Sequence, residues 1–135
     1  MAKLKGFKRS LKEFAESIDV KVETVVRKIS LQAFNGIVLK TPVDTGRARA
    51  SWVIGINRPL DSPNFPEDRE MSAAEAQTIA NRQLATLGRL KPYETVFISN
   101  SLPYIETLED GSSKQAPSGM VAVTIAEIER GINDF

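Results

Sequence analysis

The 135 residues contain no cysteine and no histidine. The first absence excludes a disulfide scaffold, thiolate zinc sites and cysteine nucleophiles. The second removes the commonest metal ligand and the commonest general base, and with them any catalytic triad built on histidine. Catalysis would have to rest on carboxylates, lysine, tyrosine or a serine–lysine pair, so composition points away from an enzyme. Long apolar runs are missing too. Nothing approaches the roughly 18 residues that span a bilayer. The basic start, Met1 to Ser10, is followed by Lys12, Glu13 and Glu16 rather than by an apolar stretch. Neither a membrane segment nor a secretory leader is expected, which places the chain in a cytoplasm or in a particle assembled there.

What is present belongs to the ordinary soluble range: 26% charged and 41% hydrophobic residues. One domain is the expectation at this length, burying about two-thirds of its unfolded surface. The net charge is +1 but unevenly spread. Residues 1–49 hold eleven Lys/Arg against five Asp/Glu, and residues 50–135 hold seven against twelve. Such a dipolar chain can steer head-to-tail association of copies or lay its basic end on an acidic partner; a lysine-rich solvent face on one helix accounts for it equally well.

Phe7, Leu11, Phe14, Ile18, Val22, Val25, Ile29, Ala33 and Ile37 recur at steps of three or four, which predicts one long amphipathic helix. Asp19 could cap a fresh start, with a break near Ser17–Asp19. Pro42 should end the helix by biasing Thr41 out of the helical region. Thr41-Pro42-Val43-Asp44-Thr45-Gly46-Arg47 is turn chemistry, with Gly46 supplying a left-handed position. Ala50 to Asn57 alternates Trp52, Ile54 and Ile56 with smaller residues and predicts a strand. Pro59, Pro63 and Pro66 make residues 58–70 an extended loop. Ser72 and Glu75 form a capping box for a helix stopped by Gly88. Tyr93–Ser99 predicts a second strand. A short helical turn should run through Glu109, with Tyr104, Ile105 and Leu108 inward. Residues 120–132 fit a helix by Val121, Ile125, Ile128 and Ile132, or a strand by Val121, Val123 and Ile125. Length and the following Glu-Ile-Glu-Arg favour helix.

Candidate sites are sparse. Asp44, Glu109 and Asp110 could hold a hard cation, but their spacing matches no calcium loop or metalloprotease helix, and turn-capping is the commoner use of such residues. The loop Gly111–Gly119 lacks the Gly-Lys-Ser/Thr end of a phosphate-binding loop. Lys3, Lys5, Lys8, Arg9 and Lys12 could meet nucleic-acid phosphates without sequence readout, since no aromatic platform accompanies them. Trp52 belongs to the core rather than to a ligand platform. No metal or cofactor is expected.

Two stretches together say more. Thr41-Pro42-Val43-Asp44-Thr45-Gly46-Arg47, continued by Ala48-Arg49-Ala50-Ser51-Trp52, resembles the signature of the neck or tail-completion proteins of long-tailed bacteriophages. Pro103-Tyr104, Leu108-Glu109-Asp110-Gly111, Ser113-Lys114-Gln115-Ala116-Pro117 and Gly119-Met120 are similar to further elements of that family, in the same order. The resemblance implies an α+β subunit, with a long N-terminal helix packed on a small antiparallel sheet and further helices. Residues 58–92 are its least family-like part and are expected to be a loop-helix insertion. It implies a ring, sixfold by analogy, in the virion neck between the head connector or stopper and the tail terminator or tail tube, assembled in the host cytoplasm. No catalytic residue carries over. Thr41, Pro42, Val43, Asp44, Thr45, Gly46, Arg47, Ser51 and Trp52 would set the turn from helix to strand. Tyr104, Leu108, Glu109, Gly111, Ser112, Gln115, Ala116, Pro117 and Gly119 would belong to a loop touching a neighbouring subunit. Lys3, Lys5, Lys8, Arg9 and Lys12 could face genomic DNA in the channel. The rival readings are a tail-terminator ring, a small non-specific DNA-binding protein, and a carboxylate-dependent hydrolase around Asp44 and Glu109.

Overall fold

The computed structural model describes residues 21–42, 46–65, 70–110 and 119–133. Helix α1 spans Val22–Lys40 and stops at Thr41, whose extended backbone precedes Pro42 as that proline requires. The part of the predicted helix before Lys21, with its Ser17–Asp19 break, lies outside the described residues. The buried face of α1 is Val25, Ser30, Phe34, Ile37 and Val38. Phe34 and Val38 are off the predicted stripe yet fully buried. The reason is that α1 is covered from two sides, by the C-terminal helix and by residues 84–89, so its buried arc is wider than a stripe facing one neighbour.

The strand predicted from Ala50 begins only at Val53, and Ala50 instead ends a short helix, α2 (Arg47–Ala50). Gly46 turns the chain at φ 79°, and the Ala50 amide then donates to the Gly46 carbonyl at 3.0 Å. The Ser51 hydroxyl donates back to the Arg47 carbonyl at 2.6 Å, extending the turn. Two alanines favour helix here, and the β-branched alternation takes over only from Val53.

Strand β1 is Val53–Ile56 and β2 is Val96–Ser99. They pair antiparallel, Val53 opposite Ser99 and Ile56 opposite Val96. The second strand is shorter than predicted. Tyr93 stands at φ 66°, 86% exposed, in the turn that precedes β2.

Between the strands lies α3 (Ala73–Gln83), capped by the Ser72 hydroxyl, which accepts from the Glu75 amide at 3.1 Å. The helix does not stop at Gly88. It continues as a 3₁₀ helix, Leu84–Arg89, and ends where the Leu90 amide donates to the Leu87 carbonyl. Gly88 is not in the left-handed region, so it provides no C-terminal cap. This segment is built into the core. Ala80 and Leu87 belong to the main buried cluster, and Met71 and Ala76 pack with Ala50 in a second one.

Helices α4 (Ile105–Glu109) and α5 (Met120–Asn133) complete the α+β chain. Ile105 is buried, with Tyr104 and Leu108 packed against the main cluster as expected. Residues 120–133 are helical, not extended. Helix α5 runs against α1, which packs far more on it than on the sheet. Gly36 allows this close approach: a Cβ there would lie 2.8 Å from the Thr124 methyl. The core centres on Phe34, Val38, Trp52, Ile54, Leu87 and Met120.

Candidate functional site

The joint between α1 and β1 is where the predicted turn residues converge. Thr41 is 1% exposed and Trp52 5%. The Thr41 hydroxyl donates to the Ile37 carbonyl at 2.7 Å and accepts from the Trp52 indole Nε1 at 2.9 Å. One oxygen therefore closes the helix end and anchors the indole. Pro42 is buried beside them. Gly46 is required twice: its φ is positive, and a Cβ would come within 2.8 Å of the Met71 Cβ and carbonyl oxygen. Val43, Asp44 and Thr45 lie outside the described residues.

Three side chains that sequence reasoning missed complete the joint. Arg49 Nη2 donates to the Leu39 carbonyl at 3.1 Å and to the Thr41 carbonyl at 3.2 Å. A cation thus sits on the C-terminal carbonyls of α1, favourable for the helix dipole. Desolvation lowers the Arg49 pKa from its usual value, although the guanidinium keeps its charge. Asn100 Nδ2 donates to the Ala48 carbonyl at 3.0 Å, while its Oδ1 accepts from the Leu102 amide at 3.0 Å. The Ser62 hydroxyl donates to the Ser51 carbonyl at 2.7 Å, fastening the proline-bearing loop to the same place. Nothing in local periodicity marks these contacts.

The second predicted group is divided. Glu109 is turned inward on its own chain. Its Oε1 accepts from the Val121 amide at 2.8 Å and its Oε2 from the Ala122 amide at 3.0 Å. That carboxylate caps α5, where orphan donors and the helix dipole favour an anion. Gly119, at φ 85°, brings the chain so close that a Cβ would lie 2.6 Å from the Glu109 carbonyl oxygen. Tyr104 and Leu108 are half-buried against the core. Gly111, Ser112, Gln115, Ala116 and Pro117 lie outside the described residues, as do Lys3, Lys5, Lys8, Arg9 and Lys12.

Thr41, Ser51, Arg49 Nη2 and Asn100 Nδ2 donate to backbone carbonyls, whereas Arg49 Nε is buried without a partner; none of these side chains is a nucleophile beside a base. Among the described residues no three His, Cys, Asp or Glu side chains are grouped to hold a metal ion. No helix among them is long and apolar enough to cross a membrane. No model of a known protein family, no curated protein and no solved structure matches this chain.

Proposed function

We propose that this chain is a structural subunit of the neck of a long-tailed bacteriophage. Copies of it close into a ring, six in number by the family analogy, that joins the head connector to the tail tube. The subunit has no reaction of its own; its work is to hold an angle and to bind neighbours.

The observation that carries this reading is the link from Ile37 through Thr41 to Trp52, with Arg49 across the helix end. Thr41, Arg49 and Trp52, from the stretch that resembles the tail-completion signature, weld α1 to the strand pair. The hydrogen bonds of Thr41, Ser51 and Trp52 within that stretch link helix end, turn and strand. A ring of identical subunits uses head-to-tail contacts, and these close only if each subunit presents its two contact faces at a constant angle. A buried joint cross-linked through Thr41, Trp52, Arg49 and Asn100 would supply that constancy.

The test combines the solution mass of the purified chain with complementation of a phage lacking the gene. Wild-type protein should be found in purified particles and restore tailed virions, while Gly46→Val should not restore them. Normal tailed particles carrying Gly46→Val would refute the joint argument. Absence of the wild-type protein from finished particles would refute the neck reading altogether.

A further inference from the structure

The outer edge of β1 borders an open groove. The Asn57 amide donates to the Thr95 carbonyl at 2.7 Å, which makes that pair a hydrogen-bonded one. Alternation then turns the amides of Ile54 and Ile56 away from β2. The Ile54 amide is met by Gln83 Oε1 at 3.2 Å, from the far wall. The space between that edge and the 3₁₀ helix holds about 500 Å³, and Arg58, Arg89 and Lys91 line it. All three cations are exposed, and none has an ion-pair partner among the described residues. The one carboxylate lining the groove, Glu94, is occupied. Its Oε1 accepts from the Lys91 amide at 2.7 Å and its Oε2 from Asn57 Nδ2 at 2.8 Å. A concave surface with surplus charge of one sign focuses its field on an incoming anion.

The chain itself carries a counterpart. On α4, Glu106 and Asp110 are exposed, whereas Glu109 between them is spent on capping α5. Helix α4 follows from the Ser99 end of β2 and packs on α5. Arg58 follows β1 by two residues, and Arg89 and Lys91 precede β2, so the cations flank the Ile56–Val96 end of the pair. The basic groove and the acidic helix are thus built from different segments of the chain, and none of the α4 residues lines the groove. Two unlike patches on one chain suit a head-to-tail contact.

We propose that the groove beside β1 receives the acidic α4 end, Glu106 and Asp110, of a second copy of this chain, and that this contact rests on, and specifies, the ring put forward above. The occupant is thus another subunit, held by Arg58, Arg89 and Lys91. Rim charges of this kind act on encounter and register, so the contact weakens as salt rises.

Four exposed residues allow a charge-exchange test on the full chain. The groove variant carries Arg89→Glu and Lys91→Glu; the helix variant carries Glu106→Lys and Asp110→Lys. Each alone should weaken self-association about tenfold or more, as like charges then face each other. The chain with all four substitutions should recover it, as should an equimolar mixture of the two variants. The readouts are solution mass over a concentration series and incorporation into particles, with the urea midpoint confirming that each variant is folded. If wild-type rings form and both variants assemble as the wild type does, this contact is refuted and the ring reading stands. If the wild type neither associates nor enters particles, the ring reading falls and takes this contact with it. If the groove variant assembles normally but loses affinity for a short DNA duplex in fluorescence anisotropy, the groove is a phosphate-binding surface and the proposal is overturned.

Discussion

Thr41 and Trp52 show how much one hydroxyl can hold. With Trp52→Phe the indole donor disappears, while the Thr41 hydroxyl keeps its bond to the Ile37 carbonyl. The loss is one buried hydrogen bond plus imperfect packing, about 1–2 kcal/mol. Urea unfolding followed by circular dichroism measures it, since Trp52 is the single tryptophan and its fluorescence goes with it. An unmoved midpoint would mean that the indole N–H contributes nothing. Glu109 is the other decisive side chain. Glu109→Ala strips the acceptor from two amides at the start of α5. The expected cost is about 1–2 kcal/mol, with faster hydrogen exchange at Val121 and Ala122. Glu109→Gln should lie between, because an amide keeps one acceptor oxygen. If Glu109 served only a neighbouring subunit, the free chain would not notice either change.

At the scale of elements, the contact of α1 with α5 is set by a small residue against a branched one. Gly36→Ala would ordinarily strengthen a helix by about 1 kcal/mol. Here the added methyl meets Thr124, which is 2% exposed and stiff about its first torsion. Overpacking of this kind costs about 1–3 kcal/mol, so the net effect is destabilising. Thermal unfolding of Gly36→Ala, with and without Thr124→Ala, checks both the sign and the cause. Recovery in the double variant is expected. For α3 the cap decides: Ser72→Ala should remove about 1 kcal/mol by freeing the Glu75 amide.

At the scale of the whole molecule, surface electrostatics among the described residues contribute little to folding. Lys40 and Glu127 form an ion pair at 3.0 Å between α1 and α5, with the side chains 28% and 50% exposed. Water screens such a pair, and its worth is below about 1 kcal/mol. Lys40→Met should therefore leave the urea midpoint almost unchanged, and a shift above about 1 kcal/mol would show a stronger coupling of the two helices. Stability comes instead from the apolar cluster in which α1, the strand pair, the 3₁₀ helix and α5 share one interior. In the ring proposed above, the uneven surface charge would act between subunits.

Much was legible locally. Pro42 ends α1, Ser72 caps α3, Gly46 takes a left-handed conformation, and Trp52 is buried. Each depends on chemistry within a few residues, so neighbours along the chain suffice to determine it. The places where reading failed share the opposite feature. Phe34 and Val38 are buried because two separate elements cover α1. Arg49 reaches back ten residues to Leu39, Glu109 reaches twelve forward to Val121, and Arg27 donates across sixty to the Leu87 carbonyl. Alternation around Trp52 looked like a strand from Ala50, but the reversal at Gly46 made Arg47–Ala50 a helical turn. By itself the sequence determined which segments prefer helix or strand and where they stop, because those preferences are short-range. Only the tertiary structure decided which faces meet and which polar atoms satisfy each other, because that depends on surfaces brought together by the burial of the whole core.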